Sequence, residues 1–289
     1  MKLPISVVMI ARNEEAHIGR AMASVQFAED VVIIDAFSTD RTVEIARAAG
    51  ARVIQRAWTN FSDQRNFSLR EARCDWVLVL DADEAVSPEL VKWLESFFRE
   101  GKDKENIHGY KIKRTEFFLG QRIYGACWNP SFQDRFFRRA KANYIGDIHE
   151  YPLVEGGFVY APETAVLEHN PNVTAESFFE KMNRYTTIEA FDRYQSGQRT
   201  SLFHLGVAFF ATWWKNYFYY GGYRDGAHGF VICLMEGVSR TVRHIKLWQI
   251  QQLDAEGKLG ILPDPRKTME LAAASHRKLE ARPPEGAHK

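Results

Sequence analysis

The first hundred residues alternate between short apolar runs and segments whose apolar positions recur every three or four residues. The runs predict strands and the spaced positions predict helices. Predicted strands cover residues 5–10, 31–34, 52–55 and 76–80, and predicted helices cover residues 14–26, 41–49, 61–72 and 88–99. This alternation indicates βαβ units and a mostly parallel sheet with helices on both faces.

The pattern changes after residue 100. Residues 109–170 predict irregular strands and loops rich in aromatic residues and arginine, and helix dominates from about residue 175 onward. We therefore expect three parts, namely residues 1–108, 109–170 and 171–289. The first two would form one α/β domain, and the third a C-terminal helical extension with a frayed, proline-containing end at residues 281–289.

Composition narrows the class of protein. With 289 residues, 45% of them hydrophobic and 26% charged, the chain has the make-up of a folded globular protein. The 38 basic residues nearly balance the 37 acidic ones, so no overall charge favours nucleic acid as a partner. Three widely spaced cysteines indicate a reducing compartment, and the first residues lack the pattern of an export signal, which together predict a cytoplasmic protein.

Acidic residues follow two of the predicted strands. Asp81 and Asp83 come directly after a buried strand, and Asp35 follows another. Ligands of such sheets bind at the carboxyl ends of the strands, where two neighbouring carboxylates can hold a divalent cation that also binds a diphosphate. Alternatively, the pair caps the next helix. Asp35 is placed to accept a hydrogen bond from a base or ribose, whereas Asp40 is expected to be a helix N-cap.

Two common nucleotide-binding motifs are absent from the sequence. No G-x-G-x-x-G follows the first strand, and no G-x-x-x-x-G-K-[ST] occurs. The sequence therefore lacks the main evidence that would assign the protein to the dinucleotide-dependent oxidoreductases or the P-loop enzymes.

Taken together, these segments resemble the ordered motifs of family 2 inverting glycosyltransferases with a GT-A fold. The resemblance rests on Ala11-Arg12-Asn13-Glu14-Glu15, Asp35-x-x-Ser38-Thr39-Asp40-x-Thr42, Gln64-Arg65-Asn66 and Trp76-Val-Leu-Val-Leu-Asp81-Ala-Asp83-Glu84. It is closer to the branch of bacterial lipopolysaccharide-core β-1,4-glucosyltransferases, through Gln133-Asp134-Arg135-Phe136-Phe137-Arg138, Ile148-His149-Glu150 and Asp225-Gly226. Many family members have a second acidic residue or a glycine after the first aspartate of the second motif, where this chain has Ala36-Phe37.

The resemblance implies a set of donor-side residues. They are Arg12, Glu14, Asp35, Arg65, Asp81 and Asp83. Asp35 and Arg65 would contact the nucleobase, Arg12 and Glu14 would line the nucleotide pocket, and Asp81 and Asp83 would face the diphosphate and a metal, Mg²⁺ or Mn²⁺. The expected donor is UDP-glucose.

An inverting transfer also needs a carboxylate base that takes the proton of the attacking hydroxyl. Asp134, Asp147 and Glu150 are candidates, and the resemblance favours Glu150 because His149-Glu150 occupies the place of the family's acidic catalytic motif. His149 and His169 could each supply a further metal ligand, although a histidine near a strand end also serves as a hydrogen-bonded structural residue.

Two features concern the acceptor. A basic set is suited to a phosphorylated acceptor such as the lipopolysaccharide inner core, unless it is simply solvated surface. Its members are Arg114, Arg122, Arg135, Arg138, Arg139 and Lys141. The aromatic residues 203–223 predict in-plane contact with the inner face of the cytoplasmic membrane, with a core helix or a homodimer contact as the alternatives.

Two other functions compete with glycosyl transfer. A metal-dependent phosphohydrolase could use Asp81-x-Asp83 with an aspartyl-phosphate nucleophile, but it would have these residues on its first strand and would leave Asp35 and residues 64–66 unexplained. An inactive sugar-nucleotide-binding membrane scaffold would have lost an acidic motif, and both are present.

Overall fold

The computed structural model describes residues 2–129, 131–146, 150–171 and 174–262. These residues form two compact units. The first comprises residues up to 117 and residues from 130 to 171, and the second comprises residues 118–129 and residues from 172 onward. The candidate base Asp147, the neighbouring His149 and the tail 281–289 lie outside the described residues. The division expected at residues 108 and 170 stays a prediction.

All the described strands lie before residue 170. They are β1 (Leu3–Ala11), β2 (Ala28–Asp35), β3 (Arg52–Gln55), β4 (Trp76–Val79), β5 (Glu84–Val86), β6 (Gly109–Phe118), β7 (Gln121–Arg122), β8 (Ser131–Arg138), β9 (Ala142–Ile145), β10 (Tyr151–Val154), β11 (Val159–Tyr160) and β12 (Val166–His169). The helices are α1 (Ile18–Ser24), α2 (Thr42–Ala48), α3 (Phe61–Glu71), α4 (Pro88–Arg99), α5 (Ala175–Gln195), α6 (Leu202–Trp214) and α7 (Gly226–Ala255).

The main sheet of the first unit runs in the order β3-β2-β1-β4-β8-β6-β12-β5. Strands β1 to β4 pair in parallel, as do β6 and β12, whereas β8 is antiparallel to both of its neighbours and β5 is antiparallel to β12. This confirms the predicted α/β class with a mostly parallel sheet flanked by helices and followed by a helical C-terminal region. The carboxyl ends of β1, β2 and β4 meet at one edge, where the candidate site lies.

The core of the first unit follows from the two-residue period of the strands. In β1, Val7 and Met9 face a layer that contains α1 and α4, while Val8 faces the opposite layer, which contains α3. All three side chains are completely buried. Strands covered on both faces are apolar at successive positions, which explains the unbroken apolar runs in the sequence.

Two helix starts differ from the prediction. Helix α1 begins at Ile18 rather than residue 14, because the preceding loop is bonded to the α2 region: the amide of Glu14 donates to Thr42 Oγ1 at 2.7 Å. Helix α2 begins at Thr42, one residue later than expected. Arg41 rather than Asp40 therefore occupies the N-cap position, so the N-cap prediction for Asp40 is wrong, although Asp40 Oδ1 accepts a hydrogen bond from the amide of Thr42 at 3.0 Å and satisfies a free N–H of the first turn.

The second unit contains α5, α6 and α7, with a π-helical turn at Lys215–Tyr219 after α6. Buried Asp225 accepts hydrogen bonds from the amides of Tyr124 and Gly125 at 2.8 and 2.7 Å, which fixes the loop of residues 118–129 within this unit. Among the residues that the structure describes, none of the helices is sufficiently long and apolar to cross a bilayer.

Candidate active site

Asp81 lies between two buried arginines just beyond the end of β4. Arg65, on α3, donates to one of its carboxylate oxygens, and Arg135, on β8, donates to the other. Burial opposes ionisation of Asp81, but the two guanidinium groups outweigh it and hold the pKa of Asp81 far below its usual range. Asp81 is therefore an ionised carboxylate that positions the guanidinium groups of Arg65 and Arg135.

The arginines retain unused hydrogen-bonding capacity. Nε and Nη1 of Arg65 and Nε of Arg135 are buried without a hydrogen-bond partner within the described residues. Arg135 also bonds Glu84 at 2.9 Å, and burial raises the pKa of Glu84 in spite of Arg135. Buried donors without a partner are uncommon in folded proteins, so these N–H groups suit a bound anion such as a diphosphate.

Asp83 belongs to a second group of charges. His169, at the end of β12, places Nε2 3.1 Å from Asp83 Oδ2, and its Nδ1 is hydrogen-bonded to Glu116 on β6. Burial lowers the basicity of the ring, but the bonds to both carboxylates prevail and raise the pKa of His169 to about 9. Burial also opposes ionisation of Asp83, yet the contact with His169 holds its pKa below the ordinary value.

The residues present fit a divalent cation that is shared with a ligand. Asp83 offers an oxygen donor, and Nε2 of His169 would become a nitrogen donor beside it if a cation displaced the proton that it shares with Asp83, whereas both oxygens of Asp81 are bonded to arginines. Within the described ranges, no cluster of three or more histidine, cysteine or acidic side chains could enclose a metal ion. Mg²⁺ and Mn²⁺ sites of nucleotide enzymes commonly use one or two protein ligands plus phosphate oxygens and water, which is the arrangement possible here.

The loops after β1 and β2 form the neighbouring part of the same sheet edge. Asp35 is completely buried and accepts from the amide of Ser38 at 2.9 Å and from Gln55 at 3.2 Å. Burial raises the pKa of Glu14. The hydrogen bond with His17 opposes this rise, and the Asp83 carboxylate adds to it. The effect of Asp83 on Glu14 places the loop after β1 within electrostatic range of the residues beyond β4.

The three residues of the Gln64-Arg65-Asn66 segment have different contacts. Gln64 bonds Arg56 and the carbonyl of Ala57 at 3.0 and 3.1 Å, and Asn66 bonds both backbone groups of Tyr144 at 2.8 Å. The two amides thus hold α3 against its surroundings and fix Arg65 toward Asp81. Arg12, the remaining predicted pocket residue, is exposed.

The candidate bases differ in their surroundings. Glu150 Oε1 lies 4.0 Å from Nε of Arg65, so it belongs to the same charged cluster as Asp81. Asp134 is bonded to Lys111 at 2.5 Å. Of these two carboxylates, Glu150 is the one that lies beside Arg65.

Four members of the basic set expected to bind an anionic acceptor are paired with carboxylates, and the anionic acceptor itself stays a prediction. Arg114 bonds Glu116 at 2.7 Å, Arg138 bonds Asp75 at 2.8 Å, and Lys141 bonds Glu155 at 2.7 Å, while Arg135 is bound to Asp81 and Glu84. Each of these four cations is neutralised by a carboxylate of its own unit. Arg114 pairs with Glu116 on its own strand, whereas the partners of Arg138 and Lys141 lie on other elements, which the spacing along the sequence could not reveal.

The aromatic segment of the second unit has one exposed face. Side chains at helical spacing on α6 and the following π-helical turn are exposed, with Phe203 at 74%, Phe210 at 68%, Trp214 at 61% and Phe218 at 46%. Trp213 is different, since its ring stacks on Tyr217 at 5.3 Å and packs against the buried cluster around Ile232. The segment therefore combines a buried side and an exposed apolar stripe.

Glu116 is the residue that sequence reasoning missed. It stands in the middle of a strand-forming segment, and only the parallel pairing of β12 with β6 brings it opposite His169. No motif marks such a residue, because its role depends on the register between two strands separated by about fifty residues of chain.

Known proteins resemble the whole chain. It is 27% identical over 261 residues to the lipopolysaccharide core biosynthesis glycosyltransferase LpsC of Rhizobium meliloti, covering 88% of this chain and 95% of that protein. It is 29% identical over 271 residues to an uncharacterized glycosyltransferase of Rickettsia typhi, covering 85% and 87% of the two chains.

Solved structures are more distant. S. aureus TarS, in complex with UDP-GlcNAc, matches with a TM-score of 0.44 and 15% identity over 90% of this chain and 89% of that one. Glucosyl-3-phosphoglycerate synthase of Mycobacterium tuberculosis, in complex with Mn²⁺ and UDP-glucose, matches with a TM-score of 0.33 and 29% identity. That match covers 38% of this chain and 43% of the synthase, less than half of its length.

The family is shown by a match to a family model. The model of glycosyl transferase family 2 matches residues 6–152, just over half of the chain. This range includes the strand ends that carry Asp35, Asp81 and Asp83. The chain belongs to glycosyl transferase family 2 and is a glycosyltransferase.

Proposed function

We propose that the protein transfers a hexose, with inversion, from a nucleoside-diphosphate sugar to a glycan of the bacterial cell envelope. The expected donor is UDP-glucose and the expected acceptor is the lipopolysaccharide inner core. The observation that carries the proposal is the placement of Asp83 and His169 beside the arginine-bound Asp81 at the carboxyl edge of the sheet. This set offers a cation site and unused N–H donors to one diphosphate.

On the donor side, each residue has its own role. Asp35 and Arg65 contact the nucleobase, and Arg12 and Glu14 line the nucleotide pocket. Asp81 and Asp83 face the diphosphate. Asp81 acts through the arginines that it holds, and Asp83 and His169 would hold Mg²⁺ or Mn²⁺. Arg65 borders both the nucleotide and the diphosphate. When bound, the cation would neutralise charge that develops on the departing diphosphate.

The transfer needs one proton acceptor. Glu150 takes the proton of the attacking acceptor hydroxyl, whose oxygen forms a bond to the anomeric carbon as the bond from that carbon to the phosphate oxygen breaks. The nucleoside diphosphate leaves with the bonding electron pair, and Arg65 and Arg135 stabilise its charge. A single displacement from an α-linked donor gives a β-linked product. The position of Glu150 near Arg65 supports this assignment over Asp134, which is paired with Lys111.

The acceptor is expected at the inner face of the cytoplasmic membrane, where the protein would bind peripherally. Support comes from the exposed stripe formed by Phe203, Phe210, Trp214 and Phe218. Asp225 is the only acidic residue between positions 196 and 235, and it is buried, whereas Lys215 and Arg224 are exposed. An apolar aromatic face bordered by cations favours contact with a membrane of anionic lipids over exposure to water. A second copy of the chain is the competing occupant of this stripe.

Product analysis tests the proposal. Purified protein is incubated with Mn²⁺, lipopolysaccharide truncated at the inner core and each of several nucleotide sugars. We expect hexose transfer from UDP-glucose above all others, and NMR of the product should show a β-linkage. Transfer from no nucleotide sugar, an α-linked product, or a trapped glycosyl-enzyme would overturn the proposal. The Glu150→Gln variant should retain UDP binding and lose transfer.

A further inference from the structure

Phe37 has an unusual backbone conformation at the edge of the candidate site. Its φ angle is +53°, in the left-handed region that bulky side chains rarely occupy. The other non-glycine residues with positive φ among those described are Asn13, Leu119 and Ala126. Asparagine tolerates this region well and alanine is small, so Phe37 and Leu119 are the two bulky residues held there.

The strained conformation of Phe37 is held by its neighbours. Ser38 donates its amide to Asp35 Oδ2 at 2.9 Å, and the amide of Asn13 donates to Ser38 Oγ at 2.9 Å. These bonds join the loop after β2 to the loop after β1 and leave Phe37 between two fixed residues. A conformation that persists against its own steric cost is typical of functional sites.

The ring of Phe37 is available to a ligand. It is 41% exposed, and no other aromatic ring of the described residues lies within stacking distance. The three residues that follow it, Ser38, Thr39 and Asp40, are polar. Burial in a core therefore does not explain why a large apolar side chain stands here, whereas contact with a flat ring would.

We propose that Phe37 stacks on the nucleobase of the donor nucleotide and that its left-handed backbone serves to present the ring. This inference rests on the proposed function, because it assumes that a nucleoside diphosphate binds beside Asp35. Base stacking on an aromatic side chain tolerates any base, so Phe37 contributes affinity while polar groups select the base. The chemical class recognised is a nucleoside, independently of its phosphates.

The test separates the ring from the backbone. Phe37→Asn removes the ring and keeps a residue that accepts positive φ, and Phe37→Tyr keeps the ring. Leu119→Asn is the matched control, since Leu119 has φ +49° and is 60% exposed in the other compact unit. Calorimetry measures the affinities of uridine, UDP and inorganic pyrophosphate in the presence of Mn²⁺, and thermal unfolding measures stability.

We expect Phe37→Asn to weaken uridine and UDP binding about tenfold, a loss typical of one stacking contact, and to leave pyrophosphate binding unchanged. Phe37→Tyr and Leu119→Asn should bind UDP like the wild type. Both asparagine variants should unfold at a temperature equal to or above that of the wild type, because each relieves the strained backbone. If Phe37→Asn binds UDP as tightly as the wild type, this inference is overturned and the proposed function is not. The same holds if the variant loses pyrophosphate affinity as much as UDP affinity. Absence of UDP binding by the wild type would overturn the proposed function with it.

Discussion

His169 Nε2 lies 3.1 Å from Asp83 Oδ2, while Nδ1 of the same ring is hydrogen-bonded to Glu116. The imidazole is thus fixed between two carboxylates, one beyond the end of β4 and one on β6. A histidine that binds a metal commonly has its second ring nitrogen bonded to a carboxylate, which fixes the orientation of the ring. Glu116 is therefore a positioning residue for the proposed cation site.

Replacing Glu116 should weaken cation binding. Glu116→Gln keeps the size of the side chain and removes the charge that orients His169, so Mn²⁺ affinity measured by EPR should fall about tenfold. Glu163→Gln is the control, because Glu163 pairs with Lys113 in an exposed position. Unchanged Mn²⁺ affinity in a folded Glu116→Gln protein would show that His169 needs no orienting carboxylate.

The two aspartates of Asp81-x-Asp83 should differ in their effect on stability. Asp81→Asn leaves Arg65 and Arg135 buried beside a neutral side chain, so the free energy of unfolding should fall by about 3 kcal/mol. Asp83→Asn removes a partner of the partly exposed His169 and should lower it by less than about 1 kcal/mol. Urea unfolding of both variants measures the difference. Equal stability losses would argue against the structural role assigned to Asp81.

The sequence was sufficient for the features that depend on local pattern. Strand β3 and helix α4 have the predicted bounds, because apolar periodicity and the cap at Ser87 are local signals. The strand-end positions of Asp35, Asp81 and Asp83 also followed from the pattern, since parallel strands share one carboxyl edge.

The sequence was insufficient where partners are distant in the chain. The ion pairs of Arg138 with Asp75 and of Lys141 with Glu155 were not evident from the sequence, because these carboxylates lie on other elements. Trp213 could not be told from Trp214, since adjacent helical positions differ by 100° and only the packing of α7 decides which is covered. The sequence did not indicate Glu116 either, because only the pairing of β12 with β6 brings it opposite His169.

Asp30 should make the stability of the first unit depend on pH. Burial works against its ionisation, but hydrogen bonds from Arg52, Ser6 and the amide of Arg73 hold the pKa of Asp30 below its ordinary value. Since the pKa is lower in the folded than in the unfolded state, Asp30 stabilises the fold above about pH 4, and this contribution disappears as the pH falls further.

Urea unfolding at pH 7, 5, 4 and 3 measures this effect. Asp30→Asn should be less stable than the wild type at pH 7 by about 2 kcal/mol, and the gap should narrow toward pH 3. Glu44→Gln, which alters an exposed pair with Arg41, should follow the wild type throughout. A gap that stays constant with pH would contradict the assigned role of the Asp30 charge.

The exposed stripe should control binding to anionic membranes. Serine at both Phe203 and Phe210 removes two exposed rings, so flotation with phosphatidylglycerol vesicles should recover several-fold less protein than for the wild type. Tyr185→Ser is the matched control, because Tyr185 is 46% exposed on α5, away from the stripe. Failure of the wild type to bind vesicles, together with a concentration-dependent dimer that the double variant loses, would assign the stripe to a second copy of the chain.

The dependence of UDP binding on Mn²⁺ decides whether the site works as described. Calorimetry compares the wild type with Asp83→Asn, each with Mn²⁺ and with excess EDTA. The wild type should bind UDP at least tenfold more tightly with Mn²⁺ than with EDTA, and Asp83→Asn should show one weak affinity under both conditions. Equal affinity of the wild type with Mn²⁺ and with EDTA, or an undiminished Mn²⁺ effect in Asp83→Asn, would contradict a cation site at Asp83 and His169.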